Sequence, residues 1–232
     1  MSAPVRAAAI ARWLAEAVET GNLLAPLPAE LAPRNVEEGE DAAGVLLEAL
    51  GATPVGLRIG PGGIAGPLIG TRLLLNGSGI ALSALPHAAA SPALVGVLAA
   101  DLSEDTAPEW AGMHAAIDVA ASRFRDGPPD DAACAADLAG LGLIVLGRRR
   151  PMGTARLAPR GPVIDVAAAL APAIAAARRL GGLPAGALLM VAGLAPGIAP
   201  QLGQAIDWGF GTALGRVRTS FPIPDAATLG EV

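Results

Sequence analysis

The chain has 232 residues, of which 53% are hydrophobic and 3% aromatic, and its formal net charge is −5. That length carries one large domain or two small ones, and so apolar a chain buries a core without staples. All 16 basic residues are arginine, which excludes a Schiff-base lysine and a phosphate-gripping Walker lysine, while the negative charge without a basic stripe excludes nucleic acid as the main partner.

Residues 3–20 are predicted to form an amphipathic helix. Ile10, Trp13, Leu14 and Val18 fall at helical spacing, and Gly21-Asn22 ends it. A connector bearing Pro26, Pro28 and Pro33 leads to a second helix from about Val36 to Leu50. Glu37, Glu38 and Glu40 stand in its first turn, where the helix dipole favours anions. Pro54–Gly60 alternates like a strand and runs into a Gly/Pro loop. Short apolar runs follow as expected strands at Gly79–Leu85, Ala93–Ala100, Ala116–Ala121, Leu141–Leu146, Ala155–Leu157, Leu188–Ala192 and Leu214–Thr219. Two helices are expected among them, at about 105–114 and 164–180. Helices do not separate every strand pair, which argues against a doubly wound sheet. The expected class is α+β: a small N-terminal helical subdomain over 1–53, then a mixed β-rich body over 54–232 as one continuous domain.

The single Cys134 excludes an internal disulfide and a cysteine-based zinc site. No His or Arg stands close to it in sequence, so it reads as a buried, inert thiol. The start Met1–Arg6 lacks the unbroken apolar run of a signal peptide, and Gly and Pro interrupt every long apolar stretch. A cytoplasmic protein with no membrane partner is the expectation.

Several motifs fail on inspection. Gly60-Pro-Gly62-Gly-Ile-Ala65 matches a dinucleotide fingerprint, but no acidic residue lies between Glu48 and Asp101 to bind a ribose, and Pro67 stands where the phosphate-binding helix has to continue. A glycine turn is the better reading. His87 and His114 are the only histidines; His114 precedes Asp118 by four residues, but a helix-to-strand change is expected between them, so both read as structural. The cluster Asp101, Glu104, Asp105, Glu109 reads as a strand end followed by a capped helix start. Arg148-Arg149-Arg150 reads as a solvated turn. Arg58, by contrast, is a charge on an otherwise apolar strand. It is either the anchor of an acidic ligand or one half of an internal ion pair, with Asp118 the natural partner.

The order of elements over about residues 5–221 resembles the 2-oxopent-4-enoate hydratase and 4-oxalocrotonate decarboxylase group of the fumarylacetoacetate hydrolase superfamily. Val55-Gly-Leu-Arg-Ile-Gly60 resembles its G-x-K-I-G strand, and Ile117-Asp-Val-Ala-Ala-Ser122-Arg-Phe124 its L-E-I-V-D-S-R-I strand. Leu183-Pro-Ala-Gly-Ala-Leu-Leu189 resembles L-x-A-G-D-x-I-L, and Leu214-Gly-Arg-Val217 with Phe221 resembles its closing strand. The resemblance implies a roll or sandwich of that superfamily's type. It also implies chemistry in which three carboxylates hold Mg²⁺ or Mn²⁺ against the dicarbonyl end of a 2-oxo acid, so that the metal stabilises an enolate. The family's ligand positions fall at Ser91, Ala93 and Asp118, leaving one carboxylate, and its lysine falls at Arg58, which cannot shuttle a proton near neutral pH.

With the metal set depleted, no cofactor is expected. Arg58 and Asp118 become the catalytic candidates, and Arg58, Ser91 and Arg123 the substrate-binding ones. The expected function is a hydratase-like protein that has lost Mg/Mn chemistry and acts as a non-catalytic or partner subunit, in a homo-oligomer or a heteromer with a related subunit. The alternative is an active lyase or hydratase on a 2-oxo or 1,3-dicarbonyl acid with metal-free or altered chemistry. Either way a small 2-oxo acid or related carboxylate is the expected ligand.

Overall fold

A computed structural model of the protein describes residues 2–157 and 161–224. Two helices open the chain, α1 (Ala3–Thr20) and α2 (Val36–Ala49), where the periodicity puts them. Gly21 ends α1 in the left-handed conformation at φ 71°, donating its N–H back to Ala17 O. The Asn35 side chain caps α2 by accepting from Glu38 N at 2.8 Å.

Strands β1 (Pro54–Ile59), β2 (Ala65–Ile69), β3 (Leu73–Leu75), β4 (Ala89–Leu98) and β5 (Trp110–Ala120) follow. A one-and-a-half-turn helix α3 (Asp131–Ala136) and the turn Leu138–Gly140 lead to β6 (Leu143–Leu146), β7 (Thr154–Arg156) and β8 (Val163–Asp165). Helices α4 (Val166–Ala169) and α5 (Ala171–Arg179), strands β9 (Leu188–Val191) and β10 (Ala205–Gly209), helix α6 (Gly211–Leu214) and strand β11 (Arg216–Ser220) complete the order. Seven strands form one sheet in the order β2-β1-β9-β4-β5-β6-β3. Pairs β1–β9 and β3–β6 are parallel and the rest antiparallel, so the sheet is mixed and the class is α+β.

Alternation along the strands sorts side chains onto two faces. Leu57, Ile59, Leu94, Ile117, Val119 and Leu189 build one core with α4, α5 and the β10–β11 ribbon. Ala93, Val95, Ala116, Ile144 and Met190 build the other with Ile10 and Leu14 of α1, Leu46 of α2 and Ala136 of α3. The two opening helices thus share a core with the sheet, and Arg6 of α1 is tied to Glu38 of α2 at 3.7 Å. Among the described residues no helix is long and apolar enough to cross a membrane.

Several expected elements differ. Residues 105–114 are not a helix: 103–106 form a turn in which Thr106 Oγ1 accepts from Ser103 N, and β5 begins at Trp110. The carboxylate of Asp101 accepts from Ala185 N at 2.7 Å, stapling this loop to the one before β9 instead of capping a helix. Residues 79–85 hold a 3-10 turn, Leu82–Ala84, rather than a strand. The helix expected over 164–180 breaks at Leu170 into α4 and α5, with Pro172 in the first turn of α5, where its missing N–H costs nothing.

Candidate functional site

Arg58 lies on β1 and Asp118 on β5, with β9 and β4 between them. Three strand spacings of about 4.8 Å put such positions roughly 14 Å apart on a flat sheet. Yet Arg58 Nε donates to Asp118 Oδ1 at 2.9 Å and Nη2 donates to Oδ2 at 2.6 Å. The sheet therefore curls until the two side chains meet across its concave face. Between them that face carries Ala93 of β4 and the flexible Met190 of β9, which leave room for the guanidinium.

The third nitrogen, Nη1, donates to Ala139 O at 2.6 Å. That carbonyl is presented by the Leu138–Gly140 turn, where Leu138 and Ala139 both take left-handed backbone at φ 55° and 53°. Close approach explains two glycines. A Cβ on Gly60 falls 2.8 Å from Arg58 Nη1, and one on Gly66 falls 2.7 Å from both Leu138 O and the Ala139 Cβ. Both side chains of the pair have zero exposure. The internal ion pair, one of the two roles foreseen for Arg58, is thus formed; every guanidinium nitrogen and both carboxylate oxygens are engaged.

Ser91 stands directly opposite Asp118 in the β4–β5 register, 1% exposed, and its Oγ accepts from Gly193 N at 3.1 Å. Ala93 is fully buried. The structure therefore gathers Arg58, Ser91, Ala93 and Asp118 on one face and leaves Arg123 in a second network. Arg123 Nη1 donates to Asp137 Oδ1 at 3.1 Å, its backbone N and the Ser122 hydroxyl both donate to Oδ2 at 3.0 Å, and Nη2 reaches Leu141 O at 2.6 Å. Burial pushes the Asp137 carboxyl above the ordinary carboxylate value, while the Arg123 charge and these hydrogen bonds pull it back. Cys134, on α3 between the networks, is partly rather than fully buried; its thiol is pushed up to about 11 by burial and by Asp137, which fits an inert thiol.

His114 and Asp118 share β5, so the helix-to-strand change expected between them is absent. They still serve different partners, because His114 Nδ1 donates to Gly147 O at 2.8 Å. The Gly60–Ile64 segment is a β1–β2 hairpin turn, closed by Gly60 N to Ile64 O at 2.9 Å, as the glycine-turn reading expects.

Sequence reasoning missed Asp137 and Arg72. Asp137 ends a run of alanines and had no partner within reach in sequence; Arg72 is a single cation in an apolar turn. Arg72 lines a cavity of about 110 Å³ together with Ser122 and Arg123. A wider groove of about 880 Å³ opens on the opposite side of the sheet, lined by Arg156, Trp208, Phe210 and Arg216, and it includes none of Arg58, Ser91, Asp118 or Arg123.

No family model matches the sequence, and no curated protein matches it. Solved structures do match the fold. The 4-oxalocrotonate decarboxylase from Pseudomonas putida G7, complexed with magnesium and adipate, superposes with a TM-score of 0.72 at 18% identity, covering 93% of this chain and 97% of that one. The same enzyme complexed with calcium and acetate gives 0.71 over the same shares at 18% identity. The chain has the fold of this decarboxylase over nearly its whole length, as the residue-level resemblance implies.

These structures correct one expectation. The absence of a cofactor does not stand, because proteins of this fold are complexed with magnesium or calcium. The residues at the three positions where the resemblance places metal ligands do not by themselves form a carboxylate triad. Ala93 offers no donor, both Asp118 oxygens accept from Arg58, and among the described residues no three His, Cys, Asp or Glu side chains cluster to hold a metal.

Proposed function

We propose that this chain is a hydratase- or decarboxylase-like protein whose central charges serve architecture, and that it acts as a non-catalytic or partner subunit. The observation that carries this reading is the Arg58–Asp118 pair. A proton-transferring carboxylate or a substrate-gripping guanidinium needs a free lone pair or N–H facing the substrate. Asp118 has both oxygens bonded to Arg58, and neither side chain is exposed. A partner, a second copy or a related subunit, is supported by large apolar side chains left outside: Leu75 is 82% exposed, and Trp13 on α1 is 45% exposed.

A second reading, an active lyase or hydratase on a 2-oxo or 1,3-dicarbonyl acid, rests on the groove beside Arg156 and Trp208. Its volume of about 880 Å³ admits a small organic acid with room to spare.

The test is turnover of a 2-oxo-alkenoate or 4-oxalocrotonate, with magnesium or manganese supplied, by the chain alone and together with a related catalytic subunit. The expected result is no turnover alone and an altered rate or stability of the partner in the mixture. Turnover by the chain alone that disappears in Asp118→Asn overturns the proposal. Turnover that survives Asp118→Asn but disappears in Arg156→Gln favours the groove.

A further inference from the structure

We propose that Arg72 and Arg123 form a binding site for a small oxyanion, a monocarboxylate or an inorganic phosphate or sulfate, in the partly open cavity between the end of α1, the 83–86 turn and the segment after β5. This site is separate from the Arg58–Asp118 pair and does not rest on the function proposed above.

Two observations carry it. The first is an unbalanced charge. Arg123 is neutralised by Asp137, but no carboxylate among the described residues pairs with Arg72, and no described side-chain or backbone acceptor takes a hydrogen bond from it. Arg72, Arg123 and Asp137 together carry one net positive charge in a partly buried place. Burial and the neighbouring Arg123 both lower the pKa of Arg72, so its surroundings disfavour the cation as they stand. A half-buried guanidinium near a second one is a place of positive potential, and a bound monoanion gains charge-assisted hydrogen bonds there.

The second is the shape of the cavity. Its volume of about 110 Å³ is polar in character, with Asn22 and Ser83 at its edge beside the two arginines. A water molecule claims about 30 Å³ in the liquid, so the space corresponds to a few waters, or to one acetate- or phosphate-sized ion. One carboxylate group fills it, and the second carboxylate of a six-carbon dicarboxylate has to stay outside its mouth. Arginine's planar fork suits two oxygens of one anion, so Arg72 supplies the bidentate contact and Arg123, held in place by Asp137 and Leu141 O, supplies field and orientation.

The experiment titrates the full chain with acetate, pyruvate, phosphate and adipate at constant ionic strength, reading heat and melting temperature. Saturable binding of acetate or phosphate is expected, with adipate binding no more tightly than acetate; which of acetate and phosphate binds more tightly identifies the source as organic or inorganic. Arg72→Gln is expected to weaken binding about tenfold or more and to melt no lower than the parent without anions, because a repulsion is removed. Arg125→Gln, at an exposed arginine just outside the cavity, is expected to bind as the parent does. The proposal is overturned if neither acetate nor phosphate binds saturably, or if Arg72→Gln binds as well as the parent. It is equally overturned if Arg72→Gln melts well below the parent in anion-free buffer, since the guanidinium then has a structural role in the fold itself.

Discussion

Two aspartate–arginine clusters in this molecule have nearly the same bond lengths and opposite surroundings. Arg58 meets Asp118 at 2.6 and 2.9 Å with both side chains at zero exposure. On the β10–β11 ribbon, Asp207 accepts from Arg216 at 2.7 Å and Arg218 at 2.8 Å, with the arginines more than half exposed. Geometry alone ranks the two as equals. Solvent separates them: on the ribbon, water replaces whatever partner is removed, whereas beneath α1 and α3 no water is at hand and a stranded charge stays stranded.

The sharpest way to break this contrast is Arg58→Met. Removing the guanidinium leaves Asp118 buried and unpaired, and a loss of about 3–5 kcal/mol in urea unfolding is expected. Replacing both partners, Arg58→Met with Asp118→Leu, is expected to restore most of that loss, because no uncompensated charge remains. A single variant that unfolds at the parent's midpoint places the pair with the surface cluster instead.

Arg123→Met tests the middle of the range. Asp137 keeps its bonds from Ser122 Oγ and the Arg123 backbone N–H, so a smaller loss of about 1–3 kcal/mol is expected by the same measurement. The Cys134 thiol reports on the ground between the two networks. Its folded pKa of about 11 lies above the ordinary 9.0, so the unfolded chain ionises first and stability falls as pH rises from about 9 to about 11. Melting curves across that range are expected to show this slope in the parent and to lose it in Cys134→Ala.

The smallest effect belongs to Asp207→Asn. The two arginines hold Asp207 below the ordinary 3.8, so its contribution is present above that value and disappears as pH falls through the lower, folded one. The difference from the parent is expected to be slight at neutral pH, absent in high salt and absent in strong acid, as melting temperatures will show.

How much of this was legible in the sequence depended on how local the cause was. The two opening helices follow from periodicity and from Gly21, all within one segment. Residues 105–114 misled because their acidic residues look like a capped helix start. Their fate is set by pairing on both sides, since Trp110–Ala120 is held by β4 and β6, and such pairing overrides local preference. Arg58 and Asp118 were visible as charges inside apolar strands. Arg72 was not, because its neighbour Arg123 lies 51 positions away and only the fold brings the two together.

The carbonyl of Ala139 has a consequence for the order in which the molecule assembles. Arg58 takes its partners from positions 60 and 81 residues further along the chain. Contacts between such distant segments form late, after the entropy of the intervening loops has been lost. Until β5 and the 138–140 turn both close over β1, the guanidinium has only water to satisfy it. The last water leaves only when both partners are in place, so drying of the interior waits on the most distant contacts in this network.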